Sequence, residues 1–438
     1  MNTRIGALKP FEEKKEYIES RISEGIEKNR KDTAHLRITY PDGTPARNVN
    51  VKICQRTHDF LYGANIFMLD ELETKEKNEL YKKYFKEAFN QATLPFYWCD
   101  LEPERGKPRY AKASPKIYRR PTPDLCLEFC ADNHITPKEH CLYYDPFMPD
   151  WVSDDVESIK QALSCHFSEL AERYGDKIHG WEVINETLTK HYKGGKTVFY
   201  DDPQVIEWCF KEAEKYFPEN ELIINEAHPF IWEWFDGNRS AYYMLIERSL
   251  SNGARIDAVG LQYHMFHALD RYVELSQIYY DPERIFAVLD RYSDFGKPIQ
   301  ITEVTIPAYS DSKEDEEIQS EILRNVYRIW FSHPNVEAIT YWNLVDGYAA
   351  FAKQGDMTAG ENIYYGGLIR HDFTPKPAYY TLKNLFNNEF RTETVLVTDN
   401  NGECSFRGFF GEYAVCANGA QTSIHLTKDG DKNFELTI

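Results

Sequence analysis

Between about residues 58 and 390, short β-prone apolar segments alternate with helical segments, and this alternation restricts the fold more than any other feature. The expected strands are 60–65, 91–98, 135–143, 178–185, 222–225, 258–264, 298–303 and 338–343. The expected helices are 71–90, 122–133, 153–174, 203–217, 239–252, 282–295, 314–331 and 377–387. Eight strand–helix units over roughly 330 residues are typical of a (β/α)8 TIM barrel, an α/β fold.

A doubly wound open sheet has the same local pattern, so the alternation alone does not decide between the two architectures. No glycine-rich phosphate-binding motif follows the first expected strand, which counts against a nucleotide-binding sheet. The barrel is therefore the favoured fold.

The two ends of the chain have a different pattern from the barrel. Beyond residue 390, five short strands are expected at 394–398, 403–409, 412–417, 423–427 and 433–438, with Asn-Gly and Asp-Gly turns among them. Residues 1–57 are expected to form a helix and a β-hairpin. We predict three parts: this N-terminal region, a barrel over 58–390, and a small C-terminal β appendage over 391–438 against which the hairpin can pack.

Charge and hydropathy exclude several classes of partner. The 51 Lys and Arg against 70 Asp and Glu give a net charge of −19 without a basic stripe, so nucleic acid and membrane surfaces are not expected partners. No apolar run of about 18 residues occurs, and no apolar leader follows Met1. The sequence as given predicts a cytoplasmic protein, or a secreted one if a leader was removed. Nine scattered cysteines favour reduced thiols over disulfides.

Two carboxylates lie at the carboxyl ends of expected strands, where barrel enzymes place reactive groups. Glu186 follows the fourth strand and Glu303 ends the seventh, so the two would face each other across the barrel mouth. A separation of about 5–5.5 Å would suit a retaining glycosidase, with one carboxyl group as acid/base and the other as nucleophile. That chemistry needs one group protonated near neutral pH and the other ionised.

Each of these residues also has an ordinary structural interpretation. A second Asn-Glu pair, Asn225-Glu226, ends the fifth strand, and Glu303 alone could be a salt-bridge partner. The joint placement of both carboxylates with His264, on the sixth strand, favours catalysis. The spacing of His264 and His267 has a faint likeness to a metal site, but it lies past a strand rather than on a helix. We expect no metal and no cofactor.

Six motifs follow one another along the expected barrel. They are Leu101-Glu-Pro-Glu-Arg-Gly-Lys, Pro149-Asp-Trp-Val, Trp181-Glu-Val-Ile-Asn-Glu, Gly260-Leu-Gln-Tyr-His, Ile299-Gln-Ile-Thr-Glu-Val and Gly367-Leu-Ile-Arg-His-Asp-Phe-Thr-Pro-Lys-Pro-Ala-Tyr-Tyr. As a set, in this order and on these strands, they resemble glycoside hydrolase family 10, the retaining endo-β-1,4-xylanases. The resemblance covers about residues 58–390.

The resemblance implies roles for the residues at the strand ends. Glu186 would be the acid/base, and Glu303 would be the nucleophile. His264 would hold Glu303 in position and keep it ionised. Asn185 would bind the 2-hydroxyl of the sugar beside the cleaved bond, and Gln262 would line the same pocket.

The expected substrate-binding residues depart from the family pattern. Trp342 would form an apolar floor beneath a sugar ring, and Tyr144, Asp145 and Trp98 are also expected to contact substrate. The family's Glu-Asn-x-x-Lys-Trp run after strand two, whose Asn and Lys grip the glycone sugars, is here Thr93-Leu-Pro-Phe-Tyr-Trp-Cys. The family's Trp-His pair after strand three is here Tyr144-Asp145.

The sequence therefore predicts a retaining hydrolase that cleaves β-1,4-linked xylan or xylo-oligosaccharides by double displacement. Carbohydrate is the expected partner, and the oligomeric state stays open. The lost glycone contacts leave a first alternative, a β-glycosidase of altered glycone specificity that acts on another β-linked glycan or glycoside. A second alternative is a non-catalytic carbohydrate-binding barrel, against which the retention of both carboxylates counts.

Overall fold

A computed structural model describes residues 3–190 and 194–438 of the chain. The strands are β1 (Lys31–Thr39), β2 (Asn50–Gln55), β3 (Leu61–Asn65), β4 (Gln91–Pro95), β5 (Thr136–Tyr143), β6 (Gly180–Asn185), β7 (Glu221–Glu226), β8 (Ala258–His264), β9 (Ile299–Thr305), β10 (Val336–Tyr341), β11 (Glu393–Val397), β12 (Glu403–Phe409), β13 (Gly411–Ala417), β14 (Ala420–Leu426) and β15 (Asn433–Thr437). The helices are α1 (Lys9–Glu13), α2 (Lys15–Asn29), α3 (Lys75–Ala88), α4 (Trp98–Leu101), α5 (Pro123–Asp132), α6 (Val156–Tyr174), α7 (Val205–Tyr216), α8 (Ala241–Ser251), α9 (Leu269–Tyr279), α10 (Pro282–Tyr292), α11 (Lys313–Ser332) and α12 (Pro377–Asn384). Across these two stretches, every helix is too short or too polar to span a membrane.

Strands β3 to β10 form a closed parallel barrel in chain order, with β10 paired to β3. This confirms the predicted (β/α)8 fold. Strands β4, β6 and β9 are buried along their whole length, because one face fills the barrel and the other packs against the outer helices. The parallel strands bring all their carboxyl ends to one mouth of the barrel, and that mouth holds the site described below.

The structure differs from the expected elements at two places around the barrel. The second barrel strand ends at Pro95, and Trp98 already begins the short helix α4. Strand β8 is followed by two helices, α9 and α10, of which only the second was expected. The two helices are separated by only two residues, so a pattern of one helix per strand left the first one out.

The N-terminal and C-terminal strands together form a β-sandwich beside the barrel. One sheet has the order β12-β1-β15 and the other has the order β11-β2-β13-β14. The apolar faces of the two sheets meet in one core, which includes Leu36, Val51, Ile53 and Val415. The expected N-terminal hairpin is therefore corrected: β1 and β2 lie in different sheets, since each supplies its apolar face from an opposite side of the core.

The N-terminal helix α2 attaches this sandwich to the barrel by packing against α11. A Cβ atom added at Gly25 would lie 2.6 Å from the carbonyl oxygen of Ser332, so the two helices approach as closely as glycine allows. At the end of α2, the Arg30 guanidinium donates hydrogen bonds to the carbonyl oxygens of Phe331 (2.5 Å) and His333 (2.6 Å). Both ends of the chain are thereby held against the same outer face of the barrel.

The sandwich core generates a first prediction. The change Val51→Ala removes two methyl groups from a fully buried site, and we expect it to lower the free energy of unfolding by about 2 kcal/mol. Urea denaturation measures the effect. Val397→Ala, on the neighbouring strand β11 but 58% exposed, is the matched control and should change stability by less than about 0.5 kcal/mol. Equal losses in the two variants would contradict the two-sheet core.

Candidate active site

A cleft of about 1110 Å³ opens at the carboxyl ends of the barrel strands. This volume exceeds the range of about 300–1,000 Å³ that is usual for small-molecule pockets. The residues that line it include Asn185, Glu186, Gln262, His264, Glu303 and Trp342. Tyr144 lines the same cleft, so the structure brings together seven of the nine residues expected in the site.

The two carboxylates reach the cleft from β6 and β9. Glu186 follows directly on the last residue of β6, with a φ of 53°, in the left-handed region that costs a non-glycine residue energy. Glu303 lies within β9. Their side chains are almost fully enclosed, with 8% and 4% of the residue surface exposed.

The Gln262 side chain fixes how far apart the carboxylates lie. Its Nε2 atom donates hydrogen bonds to Glu186 Oε1 (3.2 Å) and to Glu303 Oε1 (2.8 Å). Two oxygens at these distances from one nitrogen can be no more than 6.0 Å apart. This limit for one pair of oxygens is compatible with the about 5–5.5 Å that separates the carboxyl groups of retaining sites.

Three nitrogen atoms surround the Glu303 carboxylate. Asn225 Nδ2 (3.1 Å) and Gln262 Nε2 (2.8 Å) donate to Oε1, and His264 Nε2 lies 3.1 Å from Oε2. His264 is itself oriented by a 3.0 Å contact between its Nδ1 and the hydroxyl of Thr305. The two amide nitrogens can only donate, so Oε1 of Glu303 is fixed as an acceptor.

Burial raises the pKa of Glu303 to about 8, and the charge of Glu186 acts in the same direction while His140 opposes it. Two carboxyl groups this close titrate as a pair, because the charge of one disfavours ionisation of the other. The cleft therefore holds one proton on the pair near neutral pH. One protonated and one ionised carboxyl group is the state that acid-assisted displacement at a glycosidic bond requires.

Tyr144 contacts the other carboxylate. Its hydroxyl donates a 2.6 Å hydrogen bond to Glu186 Oε2, and the tyrosine lies immediately after β5. Burial raises the pKa of Tyr144 well above its usual value, so the phenol stays protonated and acts as the donor. The bond favours the ionised form of Glu186 and orients its carboxylate.

A buried charged network lies beneath these residues inside the barrel. Glu182, on β6, pairs with the Lys138 ammonium and with His140 Nδ1, and all three side chains are at most 2% exposed. Burial alone would raise the pKa of Glu182, but the charges of Lys138 and His140 lower it to about 2. His140 Nε2 lies 3.1 Å from the hydroxyl of Tyr97, which lines the cleft. His140 thus connects Tyr97, at the cleft, to the charged groups inside the barrel.

Aromatic rings from the segments after β3, β4, β5 and β10 pack together at one side of the cleft. Trp342, Phe67 and Tyr97 form one cluster, with Trp342 packed edge-on to Phe67 at 5.2 Å between ring centroids. Tyr97 packs against Phe147 at 4.3 Å, and the Arg120 guanidinium lies 4.1 Å from the centre of the Tyr97 ring. Flat apolar rings beside polar groups suit the faces and hydroxyls of a sugar.

The structure does not bring Asp145 to the cleft. Its carboxylate accepts hydrogen bonds from the Thr197 hydroxyl (2.6 Å), the Thr197 backbone N–H (3.1 Å) and the Tyr143 hydroxyl (3.2 Å), and the residue is 1% exposed. These bonds fix the position of Thr197, in the segment after β6. The expectation that Asp145 contacts sugar is corrected, because its acceptors are already used within the protein.

Trp98 also lies outside the cleft. Because α4 begins at Trp98, the indole turns away from the barrel mouth, stacks on His166 at 4.2 Å and donates a 3.1 Å hydrogen bond from Nε1 to Glu102. Tyr97, one residue earlier, lines the cleft instead. The expected contact of Trp98 with substrate is therefore corrected.

One other residue of the site was not expected there. Asn225 was noted only as part of a second Asn-Glu pair, yet its amide bonds both Glu303 and Asn185. Its position at the end of a barrel strand is the signal that could have identified it. Glu226 instead faces the loop after β6, where it accepts from the Leu188 backbone N–H (3.0 Å). Burial raises the pKa of Glu226 to about 8.

Comparisons with known proteins identify the family and the fold. The sequence model of Glycosyl hydrolase family 10 matches residues 59–385. The chain is 24% identical over 425 residues to anti-sigma-I factor RsgI6 of Acetivibrio thermocellus, which covers 95% of this chain and 48% of that protein. It is 25% identical over 402 residues to endo-1,4-β-xylanase 3 of Arabidopsis thaliana, covering 89% of this chain and 46% of that protein. The chain thus spans less than half the length of these relatives.

Solved structures show the same fold. Xylanase 10B of Thermotoga petrophila, in complex with xylobiose, aligns with a TM-score of 0.60 at 21% identity, over 76% of this chain and 95% of that one. Xylanase 10B of Thermotoga maritima aligns with the same TM-score at 22% identity, over 76% of this chain and 96% of that one.

The raised pKa of Glu303 predicts a measurable dependence of stability on pH. Because the folded-state pKa lies above the unfolded value, this group costs stability that grows as pH rises from about 4.5 to about 8. The isosteric change Glu303→Gln removes the cost. We expect it to raise the free energy of unfolding by on the order of 3 kcal/mol at pH 7.5, and by little at pH 4.5.

Denaturation of the wild type and the variant at both pH values measures this difference. Glu214→Gln, at an exposed position of α7, is the control and should leave stability unchanged at either pH. A gain from Glu303→Gln that is the same at both pH values would show that burial does not raise this pKa.

Proposed function

This chain belongs to glycosyl hydrolase family 10, and we propose that it is a retaining hydrolase that cleaves β-1,4-linked xylan or xylo-oligosaccharides. One observation carries the proposal. The carboxylates of Glu186 and Glu303 both bind the amide nitrogen of Gln262, which keeps them within reach of a single anomeric carbon.

In the first step, an ionised Glu303 oxygen attacks the anomeric carbon and forms a glycosyl ester. The bond to the leaving oxygen breaks, and protonated Glu186 donates its proton to that oxygen. The Oε2 atom of Glu303 faces His264 Nε2, so this histidine positions the nucleophile through its second oxygen. In the free cleft the raised pKa keeps a proton on Glu303, so this proton must pass to Glu186 when substrate binds, and the positive charge that develops on the sugar ring favours the ionised form of Glu303.

In the second step, Glu186 acts as a base. It takes a proton from water, whose oxygen attacks the anomeric carbon, and the ester bond to Glu303 breaks to regenerate the carboxylate. Asn185 supports both steps. Its Oδ1 already accepts from Asn225 (3.0 Å) and Gln262 (3.3 Å), so its Nδ2 is the group directed to the 2-hydroxyl of the sugar.

The names of several relatives support xylan as the substrate, since they describe endo-1,4-β-xylanases at 22–25% identity. One feature favours the alternative of a β-glycosidase with altered glycone specificity. The wall at β4 and β5 presents Tyr97 with Arg120 stacked on it, where the family's Asn and Lys would grip the glycone sugar. A non-catalytic barrel is the weaker alternative, since binding alone needs no paired carboxylates.

Substitutions of Glu303 and Glu186 should affect hydrolysis in different ways. Glu303→Ala should abolish hydrolysis of every aryl β-xyloside, with a loss of at least about 10⁴-fold in kcat, because no ester can form. Glu186→Ala should retain the first step for an activated nitrophenyl leaving group but lose it for an alkyl or sugar leaving group, which needs a proton. Proton NMR of the first product should show the β-anomer.

Glu214→Gln is the matched control and should keep wild-type rates. Activity of Glu303→Ala equal to the wild type would contradict the proposed catalysis and favour a binding protein. A panel of aryl β-xyloside, β-glucoside, β-galactoside and α-arabinoside with xylo-oligosaccharides and xylan tests the substrate. Faster turnover of a non-xyloside than of all xylose-based substrates would replace xylan by the alternative glycone.

The hydrogen bond from Tyr144 predicts a change in the pH–rate profile. Tyr144→Phe removes a donor to the Glu186 carboxylate, so the acid/base should hold its proton more tightly. We expect the alkaline limb of kcat/KM to move up by about one pH unit, with the acid limb less affected. Tyr364→Phe, at another tyrosine of the cleft, is the control and should leave the limb in place. A fall in rate without any shift would show that Tyr144 acts only through packing.

A further inference from the structure

A group of metal-ligating side chains lies in the cleft apart from the carboxylate pair. It consists of His228 and Glu233, from the segment after β7, and His267, from the segment after β8. One ligand atom of each lies within 4.8 Å of the other two, and all three residues line the same cleft as Glu186. This arrangement differs from the sequence expectation of no metal.

The histidines of this group lack the partners that buried imidazoles normally have. His228 is 2% exposed, and neither of its ring nitrogens has a hydrogen-bond partner among the described residues. The buried Nε2 of His267 is likewise without a partner there. A buried polar atom left unpaired costs about 1–3 kcal/mol, and such a group in a folded protein calls for an explanation.

The third member of the group is a carboxylate. Glu233, with 26% of its side chain exposed and Oε1 3.9 Å from His228 Nε2, supplies the negative charge, which also faces the nearby cation Arg271.

Ring contacts fix the positions of the two histidines. His267 stacks on Tyr279 at 5.3 Å between centroids, and His228 packs edge-on to the same ring at 5.5 Å. The His267 backbone is held by the Tyr309 hydroxyl, which donates a 2.6 Å hydrogen bond to its carbonyl oxygen. The two rings thus lie side by side, with 5.9 Å between their centroids.

We propose that His228, Glu233 and His267 bind one divalent transition-metal ion, with Zn²⁺ as the best fit. Two imidazoles and one carboxylate are a recognised zinc ligand set that leaves a fourth position open. Ligand atoms around tetrahedral zinc lie about 3.4 Å apart, which small rotations of these side chains would reach. The open position faces the cleft, so water or an oxygen of a bound saccharide would be the fourth ligand.

Metal titration tests this site without relying on activity. Protein stripped with a chelator and dialysed is titrated with Zn²⁺ by calorimetry, and with Co²⁺ by its visible absorption, which is strong for tetrahedral coordination. We expect one equivalent to bind. Glu233→Gln and His267→Gln, at two half-buried positions, should each raise the Kd at least about tenfold. His179→Gln, at an exposed histidine before β6, should not change it.

A thermal shift provides the second measurement. Zn²⁺ at 100 times its Kd should stabilise the wild type and the His179→Gln control by about 2.7 kcal/mol, and the two ligand variants by much less. Circular dichroism of the metal-free proteins verifies that each variant is folded. The proposal is overturned if the wild type takes up no stoichiometric Zn²⁺, or if all four proteins bind it equally, which would mean adventitious surface binding.

Discussion

The contact between the Gln262 amide and two buried carboxylates determines what this cleft can do. One nitrogen donates to Glu186 and to Glu303, so both acids are held near one point although they come from strands on different sides of the barrel mouth. Bringing like charges together in an enclosed site costs stability, and the raised pKa of Glu303 measures part of that cost. Closure of the barrel provides the rigidity that keeps the acids from moving apart.

The polar interior of the barrel supports this arrangement from below. The pair of Lys138 and Glu182 is buried on the barrel axis, and His140 connects it to the Tyr97 hydroxyl at the cleft. Buried ion pairs add little net stability once desolvation is counted. Their geometric effect is larger here, since they fix β5 to β6 by bonds with a defined direction.

How much of this could be predicted from the sequence depends on where a residue lies. Strand ends were predictable, because the strand pattern assigns Glu186, His264 and Glu303 to the same mouth of the barrel. Positions just past a strand were not predictable. Strand β4 ends earlier than expected, at Pro95, so Trp98 lies outside the cleft and Tyr97 lines it. The β1–β2 pairing also failed, because two alternating strands joined by a turn look the same whether they share a sheet or face each other.

The two sides of the cleft carry different chemical groups, and this difference bears on specificity among sugars. At β4 and β5 the wall is aromatic and carries the Arg120 cation, whereas past β7 and β8 it carries His228 and Glu233. A sugar in the first region meets ring faces and a guanidinium rather than amide and ammonium groups. Sugar hydroxyls that would form hydrogen bonds with an amide must find other partners there, because an unpaired hydroxyl in an enclosed site costs binding free energy. The carboxylate pair lies between these walls, so under the proposed function discrimination among sugars rests on residues that the reaction itself does not constrain.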